Sequence, residues 1–216
     1  MQIDGYRIIL KRLSIDDIEL VRYWRNSDLI NQFMEHREYI NSVDQIEWFE
    51  SIDNTTNNFF VIYIEDKKIG LIYGADIDWE LQQTGNAGIF IWATSYWETS
   101  IPLRASILLT DTSLLLGLKK TYIKILRSNG PAIHYNTQLG YSLLPDQEDI
   151  VNQNYVLTAP AYRKARMDLQ KMLPEIDLSS EIKIFLKKDN AIDSFYINKI
   201  SSSSDLSEMG YKIIIN

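Results

Sequence analysis

Asn129-Gly130-Pro131-Ala132-Ile133-His134-Tyr135-Asn136-Thr137-Gln138-Leu139-Gly140-Tyr141 is the stretch that decides the fold. Pro131 has no backbone N–H and a φ preset for a first helical turn, so it opens a helix running to Gln138. Asn129 holds a cap-like position between that helix and the β-branched run Thr121 to Leu126, which reads as a strand. Tyr141 to Leu144 reads as the strand that follows. Toward the N-terminus, Ile101 to Leu116 carries Leu103, Ile107 and Leu114 beside Leu108 and Leu115. That spacing predicts a helix, stopped by Gly117. Toward the C-terminus, Asn154 to Leu157 is expected as the last core strand, with a helix from Pro160 to about Leu173.

Further upstream the period drops to two. Phe59 to Ile64 and Ile69 to Ile77 read as strands joined at Glu65-Asp66-Lys67-Lys68, and Ala87 to Trp92 as a third after a break at Gly85-Asn86. Tyr6 to Leu10 is the expected first strand. Ser14 caps a helix over Ile15 to Arg25 with Ile18, Leu20, Val21 and Trp24 at helical spacing. Ser42-Val43-Asp44-Gln45 reads as a capping box opening a second helix with Ile46, Phe49 and Ile52. The order is strand, two helices, antiparallel meander, then β-α-β-α-β, which predicts a mixed α/β sheet covered by helices. After Pro174, Ile182 to Leu186, Phe195 to Ile200 and Tyr211 to Ile215 read as short strands. They are separated by Asp189-Asn190 and by a loop at Ser201-Ser202-Ser203-Ser204-Asp205. The expected division is therefore a domain over 1–174 and a β-rich extension over 175–216.

The 216 residues include 0 Cys and 2 His, so thiol chemistry and a His-rich metal centre are excluded. The 9 Gly form neither a dinucleotide fingerprint nor a Walker loop. With 29 acidic against 22 basic residues, the net charge of -7 argues against a dedicated nucleic-acid or anionic-membrane partner. The start, Met1-Gln2-Ile3-Asp4-Gly5, has no cationic region followed by an apolar run, so a cytoplasmic protein is expected.

The sequence resembles the GNAT superfamily of acyl-coenzyme A-dependent N-acetyltransferases, and within it the ribosomal-protein and nucleotide-amino-sugar branch. Arg12-Leu13 through Val21-Arg22-Tyr23-Trp24-Arg25-Asn26 looks like the opening of that branch. Phe33-Met34-Glu35-His36, running on to Ile46-Glu47-Trp48-Phe49-Glu50, is similar to its substrate-side helices. Asn129-Gly130-Pro131-Ala132-Ile133 followed by Leu139-Gly140-Tyr141 is similar to the family's Asn-x-x-Ala-Ile and Leu-Gly-Phe. The resemblance covers roughly residues 6 to 172.

It implies a GNAT-like, mostly antiparallel sheet with flanking helices and a splayed parallel pair at Ala87 to Trp92 and Thr121 to Leu126. It further implies acetyl-coenzyme A as cosubstrate. The backbone of Ile91 and Trp92 would hold pantetheine, and Thr99, Ser100, Ile101 and Arg104 the diphosphate, with Asn129 as a further coenzyme contact. His36 would be the base that deprotonates an ammonium acceptor. Asn136 aligns with the family's thiolate-protonating Tyr; an amide there hydrogen-bonds but is no acid. Gly88 aligns with the family's Glu base. The phosphate loop reads Ser95-Tyr96-Trp97-Glu98-Thr99-Ser100-Ile101-Pro102, without the family's two glycines. A carboxylate at Glu98 held ~4 Å from a phosphate would cost about 4 kcal/mol per charge pair at an effective dielectric near 20.

Arg22 and Arg25 either bind substrate phosphate or form the wet face of the first helix. Asp76 and Asp78 either hold an acceptor amine or end a strand in solvent. The expected activity is N-acetylation of a primary amine, first choice a nucleotide-linked amino sugar. Acetylation of a protein N-terminus and a catalytically degenerate binding module are the alternatives. The expected partners are a small-molecule amine and, as an option, a second copy of the chain, with no nucleic acid and no membrane.

Overall fold

A hairpin of β1 (Gln2–Gly5) and β2 (Ile8–Arg12) begins the computed structural model, which describes residues 1–173, 177, 180–202 and 210–216. Tyr6 and Arg7 form its turn with φ of 52° and 58°, the left-handed pair that a two-residue hairpin turn needs. The expected strand from Tyr6 is thus corrected to one from Ile8. No Asn-Gly marks the turn. Its Tyr is instead held from below, its hydroxyl donating to Asp111 at 2.8 Å.

A 3-10 turn at Ile15–Asp17 leads into α1 (Ile18–Arg25), followed by α2 (Asp28–Asn31) and α3 (Ser42–Ile52). The capping box of α3 lies one residue earlier than expected. Asn41 Oδ1 accepts from the N–H groups of Val43 and Asp44 at 2.8 and 3.0 Å, and Asp44 returns the bond to Asn41 N–H at 3.3 Å. Ile46 is consequently exposed, while Gln45 is buried and Trp48, Phe49 and Ile52 pack inward.

The meander is β3 (Asn58–Ile64), β4 (Lys67–Asp78) and β5 (Gln83–Ile91). Its second turn is Trp79 to Gln82, where Asp78 Oδ1 accepts from Glu80 N–H at 3.0 Å and Leu81 N–H at 2.9 Å. Gly85-Asn86 therefore lies inside β5 and does not break it. The glycine marks a distortion: Asp76 opposite has φ 54°, and a Cβ on Gly85 would come within 3.0 Å of the Cβ and carbonyl oxygen of Asp76.

Then follow α4 (Ile101–Leu115), β6 (Lys120–Leu126), α5 (Gly130–Gln138), β7 (Ser142–Leu143), β8 (Asn152–Thr158) and α6 (Ala159–Met172). The C-terminal part is β9 (Ile182–Leu186), α7 (Ala191–Ser201) and β10 (Tyr211–Ile215). The expected strand at Phe195 to Ile200 is a helix. β9 and β10 run parallel, and parallel neighbours need a crossover that returns the chain over a sheet face. Asn190 caps that helix, accepting from Asp193 N–H at 2.9 Å. Of the expected serine loop, Ser201 ends α7 and residues 203–205 lie outside the described residues.

All described strands join one sheet in the order β10-β9-β1-β2-β3-β4-β5-β6-β8-β7. The pairs are antiparallel except β10–β9 and β5–β6. One apolar core lies between the sheet and α4, α6 and α7, built on Leu108, Leu115, Tyr162 and Tyr196. A smaller one lies on the opposite face under α1, α2 and α3, around Val21, Ile30, Phe59 and Phe90. No described helix is long and apolar enough to cross a membrane.

Candidate active site

The sheet is interrupted at its centre. β5 and β6 are paired only at Gln83↔Lys120 and Thr84↔Thr121, whereas β6 keeps β8 through all seven residues from Lys120 to Leu126. The parallel pair therefore parts beyond Thr84 and leaves a wedge of unpaired backbone. Trp92 N–H donates to Ile69 on β4 at 3.0 Å. A trans peptide points its N–H and C=O in opposite directions, so the Ile91 carbonyl faces the wedge. It accepts from the Trp97 indole Nε1 at 2.7 Å. Of the two positions expected to grip pantetheine, Ile91 thus faces the gap, while the Trp92 N–H is engaged with β4.

Just past the wedge begins α4, whose first turn was expected to bind diphosphate. Ile101 N–H is already capped by Thr99 Oγ1 at 3.2 Å, and the Thr99 hydroxyl donates to Tyr96 O at 2.7 Å. Pro102 has no N–H. The backbone N–H groups of Ser100 and Leu103 have no hydrogen-bond partner among the described residues. Arg104 turns to the N-terminal hairpin, donating to Tyr6 O at 3.1 Å.

On α5, Asn129 is the N-cap, its Oδ1 accepting from Ala132 N–H at 3.2 Å. The Asn136 side-chain amide donates to Ala132 O at 2.8 Å and so lies along its own helix. Tyr135, one position earlier, reaches α4 instead. Its hydroxyl donates to Pro102 O at 2.9 Å and pairs with Ser106 Oγ at 2.6 Å. Burial, with Ser106 pulling the other way, holds this phenol above its ordinary range. The bond ties α5 to the first turn of α4.

The other face of the wedge is lined from α1, the α2–α3 loop and β4. His36 is exposed in that loop. Its neighbour Glu35 reaches toward β6, with Oε2 3.7 Å from Lys124 Nζ, which brings the loop to the β6 side of the gap. Tyr73 pairs across the ladder with Gly88. A Cβ on Gly88 would lie 2.8 Å from the Tyr73 hydroxyl oxygen and 2.9 Å from Cε1 and Cζ. Tyr73 thus fills the space where the resemblance expects a carboxylate from β5. Asp78 is spent on the turn described above, and Asp76 is exposed.

Sequence reasoning missed Tyr73, Trp97 and Leu103. Tyr73 could have been found by counting register from the true turn at Trp79 to Gln82. The misplaced break at Gly85-Asn86 hid that register.

No family model matches the sequence, and no curated protein matches it by sequence. Solved structures do match the fold. Spermidine N-acetyltransferase from Vibrio cholerae, in complex with CoA and spermine, superposes with a TM-score of 0.62 at 18% identity, covering 74% of this chain and 99% of that one. FdhC, a nucleotide-linked sugar GNAT, gives 0.63 at 16% identity over 82% and 98%. The microcin C7 self-immunity acetyltransferase MccE, in complex with acetyl-CoA and AMP, gives 0.58 at 17% identity over 70% and 92%. The chain has the GNAT fold.

Proposed function

We propose that the protein is an acetyl-coenzyme A-dependent N-acetyltransferase acting on a small primary amine, with a nucleotide-linked amino sugar as first candidate. The observation that carries the reading is the wedge between β5 and β6, open beyond Thr84 and Thr121, with α4 starting at its end. Solved structures of the same fold contain CoA or acetyl-CoA, and one is described as a nucleotide-linked sugar GNAT. When bound, acetyl-coenzyme A supplies an acetyl group activated as a thioester.

The chain's own groups divide the rest. The Ile91 carbonyl accepts from a pantetheine amide in competition with the Trp97 indole. Ser100 and Leu103 present free N–H groups to phosphate at a helix start, with Thr99, Ile101 and Arg104 shaping the turn and Asn129 capping the facing helix. His36, in the loop at the β6 side of the gap, takes the acceptor's ammonium proton. The neutral Tyr73 hydroxyl holds the amine by a hydrogen bond, because burial keeps its proton in place despite the pull of Arg25. The Asn136 Nδ2 is engaged by Ala132 O, which leaves Oδ1 to order the solvent that relays the amine's second proton to the leaving sulfur.

Acetyl-coenzyme A at a hundredfold excess over its Kd stabilises a native-only binder by about 2.7 kcal/mol. In a chain of this length that is a Tm rise of roughly 5–11 °C. Thiol release with a panel of amines then identifies turnover. No Tm shift at millimolar coenzyme ends the proposal.

A second reading, a degenerate fold that binds without turnover, is favoured by the Asn136 amide folded back on its helix. Binding with silence across the panel selects it. Acetylation of a protein N-terminus is selected if only peptides react. Trp97 gives a separate check. Trp97→Phe removes the indole donor from Ile91 O and frees that carbonyl for the coenzyme. Affinity should rise by roughly 2–10-fold, the scale of one hydrogen bond. Equal or weaker binding by calorimetry counts against pantetheine at this edge.

A further inference from the structure

The first helix carries two arginines one turn apart with opposite fates. Arg22 is fully engaged: its guanidinium bonds Glu19 at 2.8 Å, the Tyr39 hydroxyl at 3.3 Å and Ile40 O at 3.3 Å. Arg25 has no ion pair or side-chain hydrogen bond among the described residues, and its Nε is buried without a partner. A guanidinium removed from water is costly unless something anionic meets it.

Its place is fixed by its neighbours. Trp24 stacks flat on Trp92, ring centroids 6.1 Å apart and 4° from parallel. The end of α1 is thereby held beside the end of β5, where the gap opens. Burial weakens the hold of the Arg25 guanidinium on its proton, opposed by the nearby Tyr73, the residue packed against Gly88. Of the acidic groups whose field reaches Tyr73, Asp76 is exposed and Glu35 is matched by Lys124 at 3.7 Å. Neither bonds Arg25.

We infer that Arg25 is the anchor for an anionic oxo group, carboxylate or phosphate, carried by the acceptor amine itself. Set by its fork beside the wedge, such a group holds the amine at the Tyr73 hydroxyl. The inference rests on the acetyltransferase reading for the word acceptor, and it narrows the substrate class. Amines with an acidic group are taken, and polycationic amines are disfavoured by the same charge. A guanidinium suits this task because its planar fork meets carboxylate or phosphate through two parallel bonds.

The Arg25 Nε–H resonance, assigned by its loss in Arg25→Gln, reports the site directly. The probes are acetate, methyl phosphate and spermidine, added to the full chain with and without acetyl-coenzyme A. The resonance should shift saturably with one or both anions and not with spermidine; which anion shifts it distinguishes the two sources. In turnover, an amino sugar phosphate should have a KM at least about tenfold below its unphosphorylated counterpart, the scale of one charge-assisted bond. Arg25→Gln should erase that ratio, and Arg25→Lys should keep part of it. Backbone-to-side-chain correlation within the wild-type chain gives the same assignment, so an unmoved resonance overturns the inference whether or not the variants fold. So does turnover of neutral amines at equal KM, with the acetyltransferase reading left standing. Anion binding at Arg25 without any coenzyme binding would instead sink that reading and leave the anchor.

Discussion

Asp111→Ala should lower stability by about 3–5 kcal/mol, the cost of stranding one member of a buried ion pair. Asp111 is fully buried on α4 and gathers two distant segments. The Tyr6 hydroxyl donates to it at 2.8 Å from the N-terminal hairpin, and the Tyr162 hydroxyl at 2.7 Å from α6. Arg166 Nε donates at 3.0 Å, also from α6, and Arg166 Nη2 bonds the Tyr6 hydroxyl at 2.9 Å. Burial foremost, and then the Asp111 charge, holds both phenols above their ordinary range. They therefore remain donors at neutral pH. With Ala at 111 the guanidinium and two hydroxyls lose their acceptor inside the core. The expected Tm drop is roughly 6–20 °C at this chain length, read by calorimetry. Arg166→Met in the same background should recover part of the loss by removing the stranded charge. A drop below about 2 °C would mean that the network does not lock the hairpin to the helices.

That network also explains what the sequence did not disclose. The Tyr6-Arg7 turn lacks turn-forming residues, because its left-handed backbone is stabilised through a side chain that contacts α4 105 positions away. No local pattern can carry that information. By contrast α5 was legible because Pro131 and Asn129 act locally, on φ and on one N–H. The helix at 191–201 was legible in principle. Ile192, Phe195, Tyr196 and Ile200 follow helical spacing behind Asn190, but an apolar run of this length also fits a strand. Pairing direction decided it, and pairing is a tertiary fact.

The candidate site divides in the same way. The cap at Asn129 was legible locally, whereas Ile91 came only from the resemblance, and the coenzyme contact of either remains a proposal. Arg104, Asn136 and Trp97 depend on where flexible side chains find partners. Arg104 finds Tyr6 O, Asn136 its own helix and Trp97 the Ile91 carbonyl. Arg25 was separable from Arg22 only once Glu19 and Tyr39 were seen to claim the latter.

Gly88→Ala should cost about 1–3 kcal/mol through overpacking, although alanine is the smallest possible addition. The new Cβ would sit 2.8 Å from the Tyr73 hydroxyl oxygen and 2.9 Å from two ring carbons. The stack on Phe59 limits how far the ring can move. Tyr73 lies nearly flat on Phe59, centroids 4.8 Å apart at 12°, and Trp48 closes on Phe59 edge-on at 5.2 Å. Tyr73→Phe should not relieve the clash, because ring carbons remain in contact. Tyr73→Ala should relieve it, so the double variant is more stable than the sum of the single changes predicts. Additive losses in urea unfolding would show that the two residues are not coupled.

The activity of Tyr73→Phe then separates packing from chemistry. The phenol stays protonated around neutrality, since burial raises it and Arg25 only partly opposes that shift. It can orient an amine but cannot serve as its base. Loss of the hydroxyl should lower kcat/KM by about tenfold, one hydrogen bond to a charged amine. The shape of the pH profile should stay unchanged. A profile that loses a limb would make Tyr73 the base after all, and full activity would remove it from the site. Gly88 thus leaves the room that the Tyr73 ring occupies, and the proposed role of its hydroxyl stands or falls with that profile.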